Sequence, residues 1–236
     1  MCTACLRFSR RGFLAGGVAG VLACSRMTAA FAQAAIPSPP NAISPDDALK
    51  RIMDGNARYA SNATENKDFS AGRMARASAQ YPIVGIVGCA DSRVAPEFIF
   101  DHGPGELFVV RLAGNFVDVD GVASLEYAIR FLGISAVMVL GHSSCGAVDA
   151  AIKVLKDNLA LPGHLPELVS FIKPAVEAAR QQNPADLLAA ATVENVRLNV
   201  AKLSASEPVV KPSMLAGKLK IVGGVYDIAT GKVNLV

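Results

Sequence analysis

Apolar positions along this chain recur with two periods. Between residues 44 and 61, Leu49, Ile52, Met53 and Tyr59 recur at helical spacing, with steps of three (49 to 52), four (49 to 53) and seven (52 to 59), which places them on one face of an α-helix. Ser44-Pro45-Asp46-Asp47 is the predicted start: a capping hydroxyl, a proline at the first helical position and two carboxylates at the positive end of the dipole. Residues 62–68 are polar and predict a loop. Residues 83–87, bounded by Pro82 and Gly88, form a short β-branched run, and 107–110 and 136–140 are similar. Such runs predict strands buried on both faces. Between the second and third, Val122, Leu125, Ala128, Ile129 and Leu132 share a helical face, and further helices are predicted over 146–155, 167–180 and 184–203 before strand character returns at 218–222 and 233–236. The alternation predicts an α/β fold: a central, largely parallel β-sheet flanked by helices, with an N-terminal helical arm placed to lie on a neighbouring subunit.

The first 34 residues follow a different pattern. Ser9-Arg10-Arg11-Gly12-Phe13-Leu14 precedes a glycine- and alanine-rich apolar run over 15–23, and small residues follow through Ala30-Phe31-Ala32 and Ala32-Gln33-Ala34. These are the three parts of a signal peptide. The paired arginines resemble the twin-arginine signal, which sends proteins across a membrane already folded and implies the twin-arginine export machinery as a partner and a periplasmic or secreted location. The apolar run is far short of the ~20 residues that span a bilayer, so no stable membrane span is expected. Cleavage is expected after Ala34 or Ala32, with Ala34 preferred. A lipoprotein site at Val21-Leu22-Ala23-Cys24, with Cys24 lipidated, is the minority alternative. The chain then divides into a signal over 1–34, a proline-rich linker over 35–43 and one domain over 44–236, a size within the reach of a single core.

Removing the signal changes the charge and cysteine counts. Arg7, Arg10, Arg11 and Arg26 are four of the 23 basic residues, and the remaining 19 face 20 acidic ones. A body so close to neutral, with no basic stripe interleaved with aromatics, is not built for nucleic acid. Of five cysteines, Cys2, Cys5 and Cys24 lie before the cleavage site, leaving Cys89 and Cys145. In an oxidising compartment two cysteines could form a disulfide. Their neighbours favour a different chemistry.

Gly88-Cys89-Ala90-Asp91-Ser92-Arg93 and Gly141-His142-Ser143-Ser144-Cys145-Gly146 each follow a predicted strand. Ligands in open α/β sheets bind beyond the carboxyl ends of strands, so both segments belong on one edge. Together they offer two thiols, an imidazole and a carboxylate, a set suited to tetrahedral Zn²⁺. With Asp91 bound the site is closed; with Asp91 drawn away by a bidentate pair with Arg93, a position opens for water. His102 and His164 lie in turn sequences without ligand company, and the alanine-rich stretch 185–191 is ordinary helix filling.

Cys89-x-Asp91-x-Arg93 with His142-x-x-Cys145 resembles the signature of the β-class carbonic anhydrases. Phe108-Val109-Val110-Arg111, Asn115, Glu126-Tyr127-Ala128 and Val222-Gly223-Gly224-Val225-Tyr226-Asp227 fit the same family. The resemblance covers the chain from about Asp46. It implies Cys89, His142 and Cys145 as permanent zinc ligands, Asp91 as a ligand only in the closed state, and Asp91 with Arg93 as the catalytic dyad. It further implies substrate contacts at Gln80, Phe108, Ala113, Tyr127 and Gly146, some reaching across a subunit boundary in a homodimer or dimer of dimers. Ala113 is smaller than the valine or isoleucine expected there. The chain has no tryptophan, so the inhibitory bicarbonate site that some bacterial members build around one is not expected in that form.

The implied reaction is reversible hydration of carbon dioxide to bicarbonate and a proton, using a water whose pKa zinc lowers to about 7. The motifs leave open a related zinc hydrolase acting on carbonyl sulfide or carbon disulfide, and a non-catalytic zinc-stabilised dimer. The Asp91–Arg93 pair argues against the last, because a purely structural site needs no arginine competing for its carboxylate.

Overall fold

A computed structural model describes residues 39–236. The assigned signal, its cysteines and its cleavage site lie outside the described residues, as does the first part of the linker. The linker's end is docked: Asn41 is buried and its Nδ2 donates to the carbonyls of Pro82 at 2.8 Å and Leu132 at 2.7 Å. The packed domain therefore begins a few residues before the predicted Ser44, because the asparagine satisfies backbone carbonyls there that periodicity does not reveal.

Helix α1 (Pro45–Ala60) starts as its sequence dictates, with Ser44 Oγ accepting from the Asp47 N–H at 3.1 Å and Pro45 in the first turn. The chain continues through α2 (Arg73–Ser78), β1 (Val84–Gly88), α3 (Pro96–Ile99), β2 (Leu107–Arg111), α4 (Val119–Tyr127), β3 (Ala136–His142), α5 (Gly146–Asp157), α6 (Leu165–Gln181), α7 (Leu187–Ser204), α8 (Val210–Leu215), β4 (Lys220–Tyr226) and β5 (Val233–Leu235). The short helices α2, α3 and α8 are too brief to show a period in the sequence. Asp118 caps α4, so this helix begins three residues before the predicted start, and its end widens into a π turn over Ala128–Leu132 before Gly133 stops it.

The strand order is β2-β1-β3-β4-β5; β2, β1, β3 and β4 are parallel and β5 runs antiparallel to β4. The residues between β4 and β5 close on themselves, with the Asp227 N–H bonded to the Lys232 carbonyl at 2.8 Å. A connection that short cannot cross the sheet, so the last pair must be a hairpin. Alternate residues on the buried strands enter different apolar cores. Ala136, Met138 and Leu140 of β3 join Ile86, Val148, Ile172 and Val176 on one face, while Val137 and Val139 join Leu125, Val196 and Leu203 on the other.

Two close approaches fix α7. A Cβ at Gly141 or Gly223 would lie 2.7 or 2.6 Å from a methyl of Val196. Glycine at these positions lets the helix settle directly onto β3 and β4.

Ala48 and Ile52 of α1 are buried in the chain's own core, so no neighbour is required to cover that face. Among the described residues no helix is long and apolar enough to cross a membrane.

Asp101, just after α3, ties α1 and the following loop to the core. It is buried, with its oxygens 2.6 Å from Arg58 Nε and 2.6 Å from Lys67 Nζ, and it accepts from the Glu65 N–H at 3.2 Å. Burial pushes its carboxyl pKa up, but the bonds from Lys67, Arg58 and the Glu65 backbone together hold it below the ordinary value. Its contribution is therefore present above about pH 4 and is lost as pH falls through the depressed folded-state value. Asp101→Asn is expected to cost about 2 kcal/mol in urea unfolding at pH 7. The deficit should shrink in acid, and a difference independent of pH would contradict the ion-pair assignment.

Candidate active site

The register of the central strands brings the two glycine-flanked segments together. Gly88 of β1 lies beside Leu140 of β3. Cys89 is the next residue of the first segment, and His142 is two beyond Leu140. Cys145 then caps α5. The turn between His142 and Cys145 is sharp, with Ser144 at φ 54°, and Ser143 Oγ accepts from the Ile228 N–H at 3.0 Å. The ligand atoms of Cys89, His142 and Cys145 all lie within 4.8 Å of one another, and all three residues are buried.

This donor set fits a tetrahedral metal. Zn–S bonds of about 2.3 Å and Zn–N bonds of about 2.0 Å place ligand atoms about 3.5–3.8 Å apart. His142 Nδ1 bonds to the Ser143 carbonyl at 2.9 Å and must be the protonated nitrogen in that bond, while Nε2 is buried with no partner among the described residues. A buried imidazole lone pair left without a hydrogen bond is what a metal ligand requires. Both thiols are free cysteines rather than a disulfide.

Cys89 is surrounded by donors. The Gly114 N–H reaches its sulfur at 3.2 Å and the Asp91 N–H at 3.4 Å. Its pKa is pushed down to about 4, chiefly by the hydrogen bond from the Cys145 thiol and then by His142, Gly114 and Asp91, against the opposing effect of burial. The Cys145 thiol is pushed up because Cys89 holds its proton and because it is buried. The opposite shifts of the two thiols favour the thiolate on Cys89 and keep the proton on Cys145.

Asp91 and Arg93 face each other at the entrance. Arg93 Nε is 2.9 Å from Oδ1 and its terminal nitrogen 2.7 Å from Oδ2, and the Arg93 N–H also donates to Oδ1 at 3.0 Å. These bonds hold the Asp91 carboxyl well below the usual carboxylate range, the side-chain bond being the largest cause. Asp91 Oδ2 is nevertheless 3.9 Å from His142 Nε2, so the carboxylate stands beside the ligand cluster while engaged with arginine.

Ala113 lies next to Gly114 at the cluster, and Gly146 opens α5 directly after Cys145 with open space where a side chain would point. Gln80, Phe108 and Tyr127 are elsewhere in the chain. Gln80 precedes β1 at the opposite end of the sheet and lines a cavity of about 470 Å³ with Lys67, Arg76, Tyr81 and Glu106. Phe108 is the second residue of the edge strand β2, and Tyr127 is exposed at the end of α4, its ring 5.4 Å from that of Phe131. His102 is a turn residue bonded to Glu106 at 3.2 Å, consistent with its sequence reading.

Sequence reasoning missed how Arg111 supports the site. Its Nε donates to the Cys89 carbonyl at 2.8 Å and a terminal nitrogen to the Asp91 carbonyl at 2.6 Å. A basic residue ending the otherwise apolar strand β2 was the available signal.

A parallel sheet that carries two cysteines, an imidazole and a restrained carboxylate at its carboxyl edge belongs to the class of folds that can hold a metal ion for chemistry on water. The family model described as carbonic anhydrase matches residues 84–233. A carbonic anhydrase 2 of Mycobacterium tuberculosis is 36% identical over 192 residues, covering 81% of this chain and 92% of the relative. The Coccomyxa β-carbonic anhydrase, solved in complex with acetazolamide, superposes with a TM-score of 0.60 at 31% identity, over 80% of this chain and 86% of that one. One of two tetrameric β-carbonic anhydrases from Sordaria macrospora shares the fold, with a TM-score of 0.64 at 22% identity over 81% and 97% of the two chains. The chain belongs to the carbonic anhydrase family. It is an enzyme of the β class that hydrates carbon dioxide reversibly to bicarbonate and a proton.

Because the donors around Cys89 lower its thiol pKa, zinc uptake by the apoprotein at pH 7 is expected to release fewer than two protons per ion. Release of two protons in a weakly buffered titration would show that both cysteines begin protonated.

Proposed function

We propose that Cys89, His142 and Cys145 hold the zinc ion of this enzyme and that Asp91 and Arg93 form its catalytic pair. The observation that carries this reading is the Asp91 carboxylate, doubly bonded to Arg93 yet only 3.9 Å from His142 Nε2. Zinc held by these residues would supply Lewis acidity, which lowers the pKa of a bound water to about 7. Asp91 accepts a hydrogen bond from the attacking water and turns an oxygen lone pair toward carbon dioxide. Arg93 keeps Asp91 ionised and holds its carboxylate away from the three ligand-type side chains. Ala113 and the exposed backbone at Gly146 border the space the substrate enters, and the alanine leaves that space wider than a branched residue would.

Two further parts of the reading concern context. Gln80, Phe108 and Tyr127 are remote from their own chain's cluster, and exposed aromatic residues accompany them, including Phe131 at 73% and Phe98 at 68% accessibility. Such surface supports a second copy of the chain as partner, in a homodimer or dimer of dimers whose neighbour supplies these residues to the pocket. The assigned twin-arginine signal supports folding and metal loading in the cytoplasm before export, which keeps Cys89 and Cys145 from pairing in an oxidising space.

Asp91→Asn is expected to lower kcat/KM for carbon dioxide hydration by about 10²–10⁴ in stopped-flow assays while leaving one zinc per chain. Wild-type rates in that variant would remove Asp91 from the mechanism. Phe131→Glu should yield a smaller species in light scattering with reduced activity, and a fully active monomer would count against a shared pocket. Changing Arg10 and Arg11 together to Lys should leave active, zinc-loaded precursor inside the cell, whereas normal export of that variant would overturn the signal assignment.

A further inference from the structure

The loop that offers its N–H to Cys89 has an unusual backbone. Gly114 has φ 88° and Asn115 has φ 43°, two successive left-handed residues, of which only the first is a glycine. A side chain at Gly114 would also collide with Ile172, at 2.5 Å. A conformation of this kind persists only when its surroundings over-determine it. Asn115 does not hold itself: its side-chain amide is fully buried and neither of its polar atoms has a partner among the described residues.

The restraints come from α7. Asn195 Nδ2 donates to the Gly114 carbonyl at 2.7 Å, Asn199 Oδ1 accepts from the Val117 N–H at 2.9 Å, and Lys202 Nζ donates to the Val117 carbonyl. Asn195 and Asn199 are four residues apart, so they share a helical face. Asn199 Nδ2 in turn donates to the Asn195 carbonyl at 2.8 Å, which directs its oxygen toward the loop. Both asparagines are buried, on a helix whose other buried residues are mostly apolar. Two buried amides and an ammonium, 81 to 85 residues from their targets, thus grip both sides of the strained pair.

We propose that Asn195, supported by Asn199 and Lys202, is a positioning residue for the metal centre: it fixes the loop so that the Gly114 N–H stays on the Cys89 sulfur and moderates the electron donation of that thiolate to the metal. This rests on the reading of Cys89 as a zinc ligand. A thiolate that accepts an N–H bond gives less charge to the cation, and one held in place loses less freedom when the metal binds. When the Asn195 amide is removed, Gly114 loses its anchor, the N–H swings off the sulfur and the thiolate becomes a stronger donor on a looser loop.

The test uses the full chain with zinc and, separately, with cobalt(II), whose sulfur-to-metal charge-transfer band reports thiolate donation. Asn195→Leu, similar in volume but without the amide, is expected to move that band to longer wavelength and to raise the zinc dissociation constant about tenfold in chelator competition. A folded Asn195→Leu protein with wild-type band position and zinc affinity would overturn the proposal. If Asn195→Leu does not fold, Lys202→Met decides, since this exposed side chain keeps its aliphatic stem and loses only its ammonium, with the bond to Val117 and the cation–π contact to Phe171. It should shift the band in the same direction with an affinity loss of about threefold, and an unmoved band overturns the proposal. Cys89→Ser separates this from the underlying reading. If it retained wild-type zinc affinity, the ligand assignment itself would fall; its loss of zinc, alongside an unaffected Asn195→Leu, would sink the positioning role alone.

Discussion

The parallel register between β1 and β3 is the constraint on which the rest of the structure depends. Both strands are buried on both faces, so a slip of one residue would send every side chain into the wrong core. With Gly88 beside Leu140, the first residue past β1 meets the last residue of β3, and a cysteine and a histidine 53 positions apart become neighbours. The pairing that satisfies the apolar cores is the same pairing that assembles the ligand cluster. The chain therefore needs no separate device to bring these ligand-type side chains together.

What the register does not supply is control of charge. Two thiols and an imidazole are buried within 4.8 Å, and burial alone disfavours the thiolates that a cation needs. The surrounding donors answer this locally. Backbone N–H groups from Gly114 and Asp91 point at Cys89, the Ser143 carbonyl fixes the histidine tautomer, and the guanidinium of Arg111 spans the carbonyls of Cys89 and Asp91. Arg93 then takes the remaining carboxylate. The centre is thus organised largely by main-chain groups and two arginines, and each arginine uses the fork geometry that a lysine lacks.

Much of this was legible in the sequence because local chemistry and global fold agree. The buried strands β1 and β3 appear as unbroken β-branched runs, Ser44-Pro45 starts α1, and four ligand-type residues stand immediately after strands. The parts that were not legible depend on distant contacts. The docking of Asn41 on Pro82 and Leu132, the burial of α1 on its own core and the turning back of β5 leave no periodic trace. Gln80, Phe108 and Tyr127 could be assigned only by resemblance, because their distance from the cluster within one chain is a matter of tertiary placement. Asn195 and Asn199 were visible as two amides at helical spacing in a largely apolar helix, but nothing in the sequence says what they hold.

The glycines beneath α7 carry a consequence for how sequence change in this enzyme should be read. Gly141 and Gly223 allow Val196 to rest almost on the backbone of the sheet, and Val196 is the residue directly after Asn195. A single added methyl group at Gly223 would lift the helix, and with it the amide that reaches Gly114. To anyone scanning the chain for drift, that substitution is a harmless enlargement in the middle of a strand, far from every ligand. In this architecture it disturbs a contact two steps away from the sheet, at the loop whose N–H reaches the Cys89 sulfur.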